Sequence, residues 1–117
     1  MLKIYGIKNC NSMKKAFDAL KQKGLNYEFH DYKKQGIDAE TIQVWLEKIG
    51  ADIILNKKGT TWRKLSSDEQ QFALSSETHL IETLVEHPSL IKRPVLQTST
   101  GYLVGFDETA YQQLSAS

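Results

Sequence analysis

The stretch LKIYGIKNCNSMKKAFDALKQKGLNYEFHDY, residues 2–32, decides the fold of this 117-residue chain. Residues 2–6 alternate and carry β-favouring side chains, which predicts a strand that ends at its glycine. After a tight loop, the apolar side chains of Met13, Ala16, Phe17 and Leu20 recur at the spacing of one helix face, and Gly24 ends that helix. Residues 25–32 alternate again and predict a second strand. Strand, helix and strand in this order predict a parallel βαβ unit.

Capped amphipathic patterns fill the middle of the chain. Helices are predicted to begin at Asp38, at the capping box of Ser66 and near Ser76, and the last of them ends before Pro88. Their apolar positions are Ile42, Trp45, Leu46 and Ile49, then Phe72 and Leu74, then Leu80, Ile81, Leu84 and Val85. We expect residues 59–64 to form a loop whose tryptophan packs on the core of this region.

The end of the chain returns to strands. Residues 94–98 and 102–106 predict a β-hairpin, and Asp107 caps a final helix. The order βαβ, helical block, ββα is that of an α/β protein. The only evident place for an inserted subdomain is the helical block.

Composition excludes several classes of protein. Fifteen basic against fourteen acidic residues give a formal charge of +1, which argues against a nucleic-acid binder. The single cysteine excludes a disulfide framework and a cysteine-based zinc or iron–sulfur site, and the three histidines lack metal-ligand spacing, so we expect no metal. No apolar run reaches the 18 residues of a membrane span, and no signal core is present. We therefore expect a cytoplasmic protein, without a membrane partner, that carries a free thiol.

The thiol of Cys10 lies where a thiolate would be stabilised. It directly precedes the first helix, so backbone N–H groups of residues 11–13 could point at the sulfur, and the hydroxyl of Ser12 could donate to it. Positive charge is concentrated here, because residues 1–34 hold eight lysines and three acidic residues, and Lys8 and Lys14 flank the thiol. The alternative is a small buried hydrophobe. The neighbouring polar residues Asn9 and Asn11 argue for the nucleophile.

Two further features accompany this cysteine. Met13 stands where a Cys-x-x-Cys motif would have its second thiol, so a disulfide intermediate at Cys10 must be resolved by glutathione or a partner protein. Arg93-Pro94 opens a predicted strand, and X-Pro bonds are almost the only ones that become cis. A cis bond there would turn the backbone of Arg93 toward Cys10 if the first and third strands are neighbours. The alternative is an ordinary trans proline beside a surface arginine.

The chain resembles a known family. Ile4-Tyr5 before an Asn-Cys loop, the strand 29–32 (FHDY), Glu86-His87-Pro88, the run 91–95 (IKRPV) and Gly105-Phe106 are similar to the arsenate reductase (ArsC) and Spx-related thioredoxin-fold proteins. The stretch 55–64 (LNKKGTTWRK) most resembles the YffB branch.

The resemblance implies a fold and a site. The fold is a thioredoxin/glutaredoxin-like mixed four-stranded sheet with an inserted helical subdomain. We expect one domain over residues 1–117, with the thioredoxin-like part at about 1–34 and 76–117 and the insertion at about 35–75. It also implies a catalytic thiolate at Cys10 and a cis Arg93-Pro94 bond.

The predicted function is a glutathione-dependent thiol–disulfide reductase that acts through a single thiolate. Glutathione is the co-substrate, no cofactor is bound, and glutaredoxin or a protein thiol is a further partner; we expect a monomer. The residues predicted to bind glutathione or substrate are Lys8, Asn9, Asn11, Ser12, Lys14, Arg93 and Pro94.

Two alternatives stay open. Arsenate reductases of this family hold their oxyanion with three arginines and carry a histidine shortly before the cysteine. Here only Arg93 matches, since the other arginine positions fall at Asn56 and Phe106 and the histidine position at Gly6. Spx-like regulators bind RNA polymerase and use a Cys-x-x-Cys switch, which Met13 interrupts.

Overall fold

The computed structural model describes residues 2–115 and divides into two compact units. The sheet unit comprises residues 1–35 and 93–117, and the helical unit comprises residues 36–92. In chain order the elements are β1 (Leu2–Gly6), α1 (Asn11–Gln22), β2 (Tyr27–Asp31), α2 (Tyr32–Gln35), α3 (Ala39–Lys48), α4 (Ala51–Ile54), α5 (Thr60–Lys64), α6 (Ser67–Ser75), α7 (Glu77–Glu86), a 3-10 turn (Pro88–Leu90), β3 (Val95–Gln97), β4 (Tyr102–Val104) and α8 (Glu108–Gln112).

The sheet has the strand order β2-β1-β3-β4. β1 and β2 are parallel and end in register, with Gly6 opposite Asp31. β3 runs antiparallel to β1 and places Val95 opposite Tyr5. The carboxyl ends of β1 and β2 and the amino end of β3 therefore meet at one edge of the sheet, which we call the active-site edge. This mixed four-stranded sheet confirms the predicted thioredoxin/glutaredoxin-like α/β class and the adjacency of the first and third strands.

The core of the sheet unit forms where α1 crosses the sheet. Met13, Ala16 and Leu20 are fully buried on one helix face, as their spacing predicted. They pack in one cluster with Leu2, Ile4, Leu96 and Tyr111. Burying each large apolar side chain contributes roughly 1.5–3 kcal/mol, so this cluster fixes α1, and with it the loop before α1, on the sheet.

The helical unit extends further along the chain than the sequence predicted. Its end lies at Lys92 rather than near residue 75, because α7 packs against α3 and α6. The capping box of Ser66 and Glu69 forms as expected.

Some expectations for the helical unit were wrong. Residues Thr60–Lys64 form a short helix instead of a loop, although Trp62 is buried as predicted. The apolar side chains of Phe72, Leu74 and Val85 are exposed; α6 buries Ala73 and α7 buries Leu80 and Leu84.

The strands of the sheet unit are shorter than their sequence patterns. β2 ends at Asp31, and Tyr32 begins α2 instead of extending the strand. β4 ends at Val104 because Gly105, at φ 76°, turns the backbone so that its N–H donates to the Pro94 carbonyl at 2.8 Å. Within residues 2–115, no helix is long and apolar enough to cross a membrane.

Candidate active site

Cys10 is the N-cap residue of α1. Its backbone is extended, at φ −148° and ψ 134°, and its carbonyl accepts the first helical hydrogen bond from the Lys14 N–H at 3.0 Å. The side chain makes no capping hydrogen bond of ordinary geometry. It is half-buried against the core cluster below α1. The sulfur therefore lies at the positive end of a 12-residue helix and keeps partial access to solvent.

The surroundings of Cys10 stabilise its thiolate. Burial raises the pKa of Cys10, but hydrogen bonding from the Met13 N–H, the Arg93 side chain and the Ser12 N–H, together with the charge of Arg93, outweighs it. The net result is a pKa below the ordinary thiol value. Two of these donors are the unpaired N–H groups of the first helical turn, as the sequence suggested.

Arg93 reaches this sulfur from the other side of the active-site edge. It lies two residues before β3, and the peptide bond between Arg93 and Pro94 is cis. Pro94 is buried, whereas Arg93 is half-buried. The Pro94 carbonyl accepts from Gly105 and retains a second lone pair that a ligand backbone could use.

The remaining predicted residues surround the thiol on the surface. Lys8, Asn9, Asn11 and Lys14 are exposed, and Ser12 is half-buried. Ser12 acts on the thiolate through its backbone N–H. Arg93, which is distant in sequence, is the cation that lowers the pKa of Cys10. The lysines that flank Cys10 in sequence are not among the groups that lower it.

Gly6 and Met13 are in close contact below the thiol. A Cβ atom built on Gly6 would overlap the Met13 Sδ and would lie 2.7 Å from its Cε. Met13 is fully buried, so its side chain has no solvent space into which to move. The residue that gives Cys10 a backbone donor thus also crowds position 6, where any side chain would force Met13 to shift.

Three aromatic residues at the active-site edge were missed by sequence reasoning. The rings of Tyr5 and His30 lie 4.9 Å apart, and those of His30 and Tyr32 lie 6.0 Å apart. Tyr5 and Arg93 both act electrostatically on Tyr32. Only the pairing of the strands could have indicated these residues. Because β1 and β2 are parallel and end together, Tyr32, which follows β2, lies at the same end of the sheet as the Cys10 loop, which follows β1.

The sequence also raised the questions of a metal site and of the two further arginine positions of arsenate reductases. Among residues 2–115, no group of three His, Cys, Asp or Glu side chains is placed to hold a metal ion. The Phe106 ring lies 4.9 Å from Tyr111 in the sheet unit, and the Asn56 side chain accepts from the Lys58 N–H at 3.1 Å in the helical unit. These are the positions of the other two oxyanion-binding arginines of arsenate reductases, and neither side chain supplies their positive charge.

Comparisons with known proteins agree with this geometry. The sequence pattern of the ArsC family matches residues 5–114. An uncharacterized protein of Haemophilus influenzae is 38% identical over 112 residues, which cover 96% of each chain. The solved structure of the YffB protein is 43% identical, with a TM-score of 0.89 and 96% of each chain covered.

A more distant relative has a regulatory name. The global transcriptional regulator Spx 2 of Oceanobacillus iheyensis is 28% identical over 112 residues, which cover 94% of this chain and 80% of the regulator. The family pattern and the Haemophilus influenzae relative span nearly the whole sequence, and the solved YffB structure shares its fold. The chain therefore belongs to the ArsC family and has the thiol-reductase-like fold of the arsenate-reductase-related proteins.

Proposed function

We propose that this protein is a glutathione-dependent thiol–disulfide reductase that works through Cys10 alone. Membership of the ArsC family supports an oxidoreductase. The observation that carries the proposal is the lowered pKa of the chain's only cysteine, at the start of α1 and beside Arg93. A thiolate in that position is a nucleophile that needs no second protein thiol to begin a reaction.

The reaction has two balanced steps. The Cys10 thiolate attacks the glutathionyl sulfur of a mixed disulfide RS–SG, forms Cys10–S–SG and expels RS⁻, which takes a proton from solvent. A glutathione thiolate then attacks the glutathionyl sulfur of this adduct, forms oxidised glutathione and returns Cys10 as thiolate. Since Met13 stands at the position where a dithiol enzyme has its resolving cysteine, the second thiol comes from outside the chain.

The charges around Cys10 fit an anionic tripeptide. Arg93, with a planar guanidinium, suits the carboxylates of glutathione, and the exposed Lys8 and Lys14 add positive potential on the helix side. The cysteinyl backbone of glutathione would pair beside Pro94 in the manner of an added strand. Asn9, Asn11 and Ser12 complete the polar rim of this surface.

Arsenate is the competing substrate within the family. An arsenate oxyanion is held best by several guanidinium groups, which bind its oxygens two at a time. Only Arg93 and Arg63 occur in the whole chain, and Arg63 belongs to α5 of the helical unit. The proposal therefore places a mixed disulfide, rather than arsenate, at Cys10.

One assay panel tests the proposal. Purified protein is supplied with glutathione and either a small glutathionylated disulfide or arsenate, and consumption of glutathione is followed. We expect turnover with the disulfide and none in the Cys10→Ser variant, whose folding is checked by urea unfolding. Turnover with arsenate but not with the disulfide would show that arsenate, and not a mixed disulfide, is the substrate. Turnover with neither substrate would indicate a non-catalytic binding module. In that case the Cys10→Ser variant should capture a protein partner as fully as the wild type does.

A further inference from the structure

The hydroxyl of Tyr32 is buried and makes no hydrogen bond within the described part of the chain. The Tyr32 residue is only 5% exposed. A buried hydroxyl without a partner typically costs about 1–3 kcal/mol relative to a partnered one, so phenylalanine would be the more stable residue here. A polar group kept at a stability cost is a common sign of a functional contact.

The position of Tyr32 in the fold indicates what its hydroxyl could contact. Tyr32 directly follows β2, and the Cys10 loop directly follows β1, and these parallel strands end in register. Arg93 comes to the same edge from β3, which is antiparallel to β1. In open α/β sheets, ligands bind outside the carboxyl ends of the parallel strands.

Electrostatic contacts tie Tyr32 to the thiolate through one residue. Arg93 hydrogen-bonds the Cys10 sulfur and also acts on the Tyr32 hydroxyl. Burial raises the pKa of Tyr32, Tyr5 raises it further, and Arg93 opposes the rise. The phenol therefore stays protonated over the physiological range, which makes it a neutral hydrogen-bond donor and a poor proton donor.

We propose that Tyr32 is a substrate-binding residue whose hydroxyl donates a hydrogen bond to an acceptor oxygen, carboxylate or carbonyl, of the glutathionyl group bound at Cys10. The assignment rests on the proposed function of Cys10. The hydroxyl is buried in this structure. Binding of the ligand must therefore displace the side chains that cover it.

The chain offers a matched control in Tyr111. This tyrosine of α8 also belongs to the sheet unit, is 1% exposed, and has a buried hydroxyl with no partner among residues 2–115. It packs in the core cluster rather than at the active-site edge, and burial raises its pKa. Tyr32→Phe and Tyr111→Phe therefore remove the same group from two comparable environments.

The test measures a single chemical step. Reduced protein is mixed with oxidised glutathione, and the rate of formation of Cys10–S–SG, which releases one glutathione thiolate, is followed by mass spectrometry. The rate of alkylation by iodoacetamide, a small uncharged reagent, reports the thiolate alone. We expect Tyr32→Phe to slow the glutathione reaction about tenfold, the effect of one lost hydrogen bond to a ligand, and to leave alkylation unchanged. Tyr111→Phe should change neither rate, and both variants should resist urea at least as well as the wild type.

The outcomes separate this assignment from the proposed function. If wild-type Cys10 forms no glutathione adduct, the proposed function itself fails. If the adduct forms and Tyr32→Phe forms it equally fast, only the assignment of Tyr32 is overturned. An equal slowing of alkylation would also overturn it, because the hydroxyl would then act on the thiolate and not on the ligand. Lower stability of Tyr32→Phe would show a structural role instead.

Discussion

Replacing Arg93 with alanine should raise the pKa of Cys10 and slow alkylation of its thiol at neutral pH by about tenfold. Arg93 acts on the sulfur through both a hydrogen bond and its charge. A hydrogen bond to a charged group contributes about 1.5–3 kcal/mol, and about 1.36 kcal/mol corresponds to a factor of ten, so losing this bond should lower the fraction of thiolate about tenfold to a hundredfold. Cys10 is half-buried, so solvent screening brings the expected effect on the thiolate fraction to the lower end of that range.

The assay is a titration of the thiolate by its ultraviolet absorbance, with the rate of iodoacetamide alkylation as a second readout. Arg93→Lys keeps the charge but loses the planar donor, so we expect a smaller rise. Arg63→Ala removes the same charge from the helical unit and controls for the change in net charge. An unchanged Cys10 pKa in Arg93→Ala, or an equal rise in Arg63→Ala, would refute the role of Arg93.

Two further predictions concern stability. Gly6→Ala should lower the free energy of unfolding by about 1–3 kcal/mol in urea titrations, because the new Cβ overlaps the fully buried Met13 side chain. The double variant Gly6→Ala/Met13→Ala should show a smaller loss than the two single changes added together, and strict additivity would contradict the steric account. The lowered pKa of Cys10 makes its thiolate a stabilising group above the ordinary thiol pKa of 9.0, and this contribution is lost as the pH falls through the lowered value. The stability of reduced wild type relative to Cys10→Ser should therefore rise with pH across that window, and a pH-independent difference would count against the shift.

Local patterns in the sequence were sufficient for the sheet unit. The βαβ stretch predicted β1, α1 and the approximate position of β2, because alternation, helical spacing and glycine stops act within a few residues. Placement of Cys10 at a helix start followed from the same patterns. The hairpin of β3 and β4 was also found, although both strands are shorter than predicted.

Features that depend on contacts between distant residues could not be predicted. The short helix Thr60–Lys64 is below the length at which helices form alone in water, and burial of Trp62 stabilises it. The end of the helical unit at Lys92 depends on which helices α7 packs against.

At the site, local charge favoured Lys8 and Lys14, while the fold brings Arg93 to the sulfur. The sequence also suggested that Tyr32 continues a strand. Tyr5, which acts on it electrostatically, lies on β1, and Arg93 lies just before β3, so its position near them becomes evident only from the sheet register.

The central claim is that Cys10 carries a glutathionyl group that glutathione itself removes. The most direct measurement is a chase on isolated protein: Cys10 is loaded by a glutathionylated disulfide, excess reagent is removed, and glutathione is added while the adduct mass is followed. We expect an adduct on Cys10 that disappears on addition of glutathione, with one equivalent of oxidised glutathione released and the thiolate restored. A protein that never acquires the adduct, or whose adduct persists in excess glutathione, would contradict it.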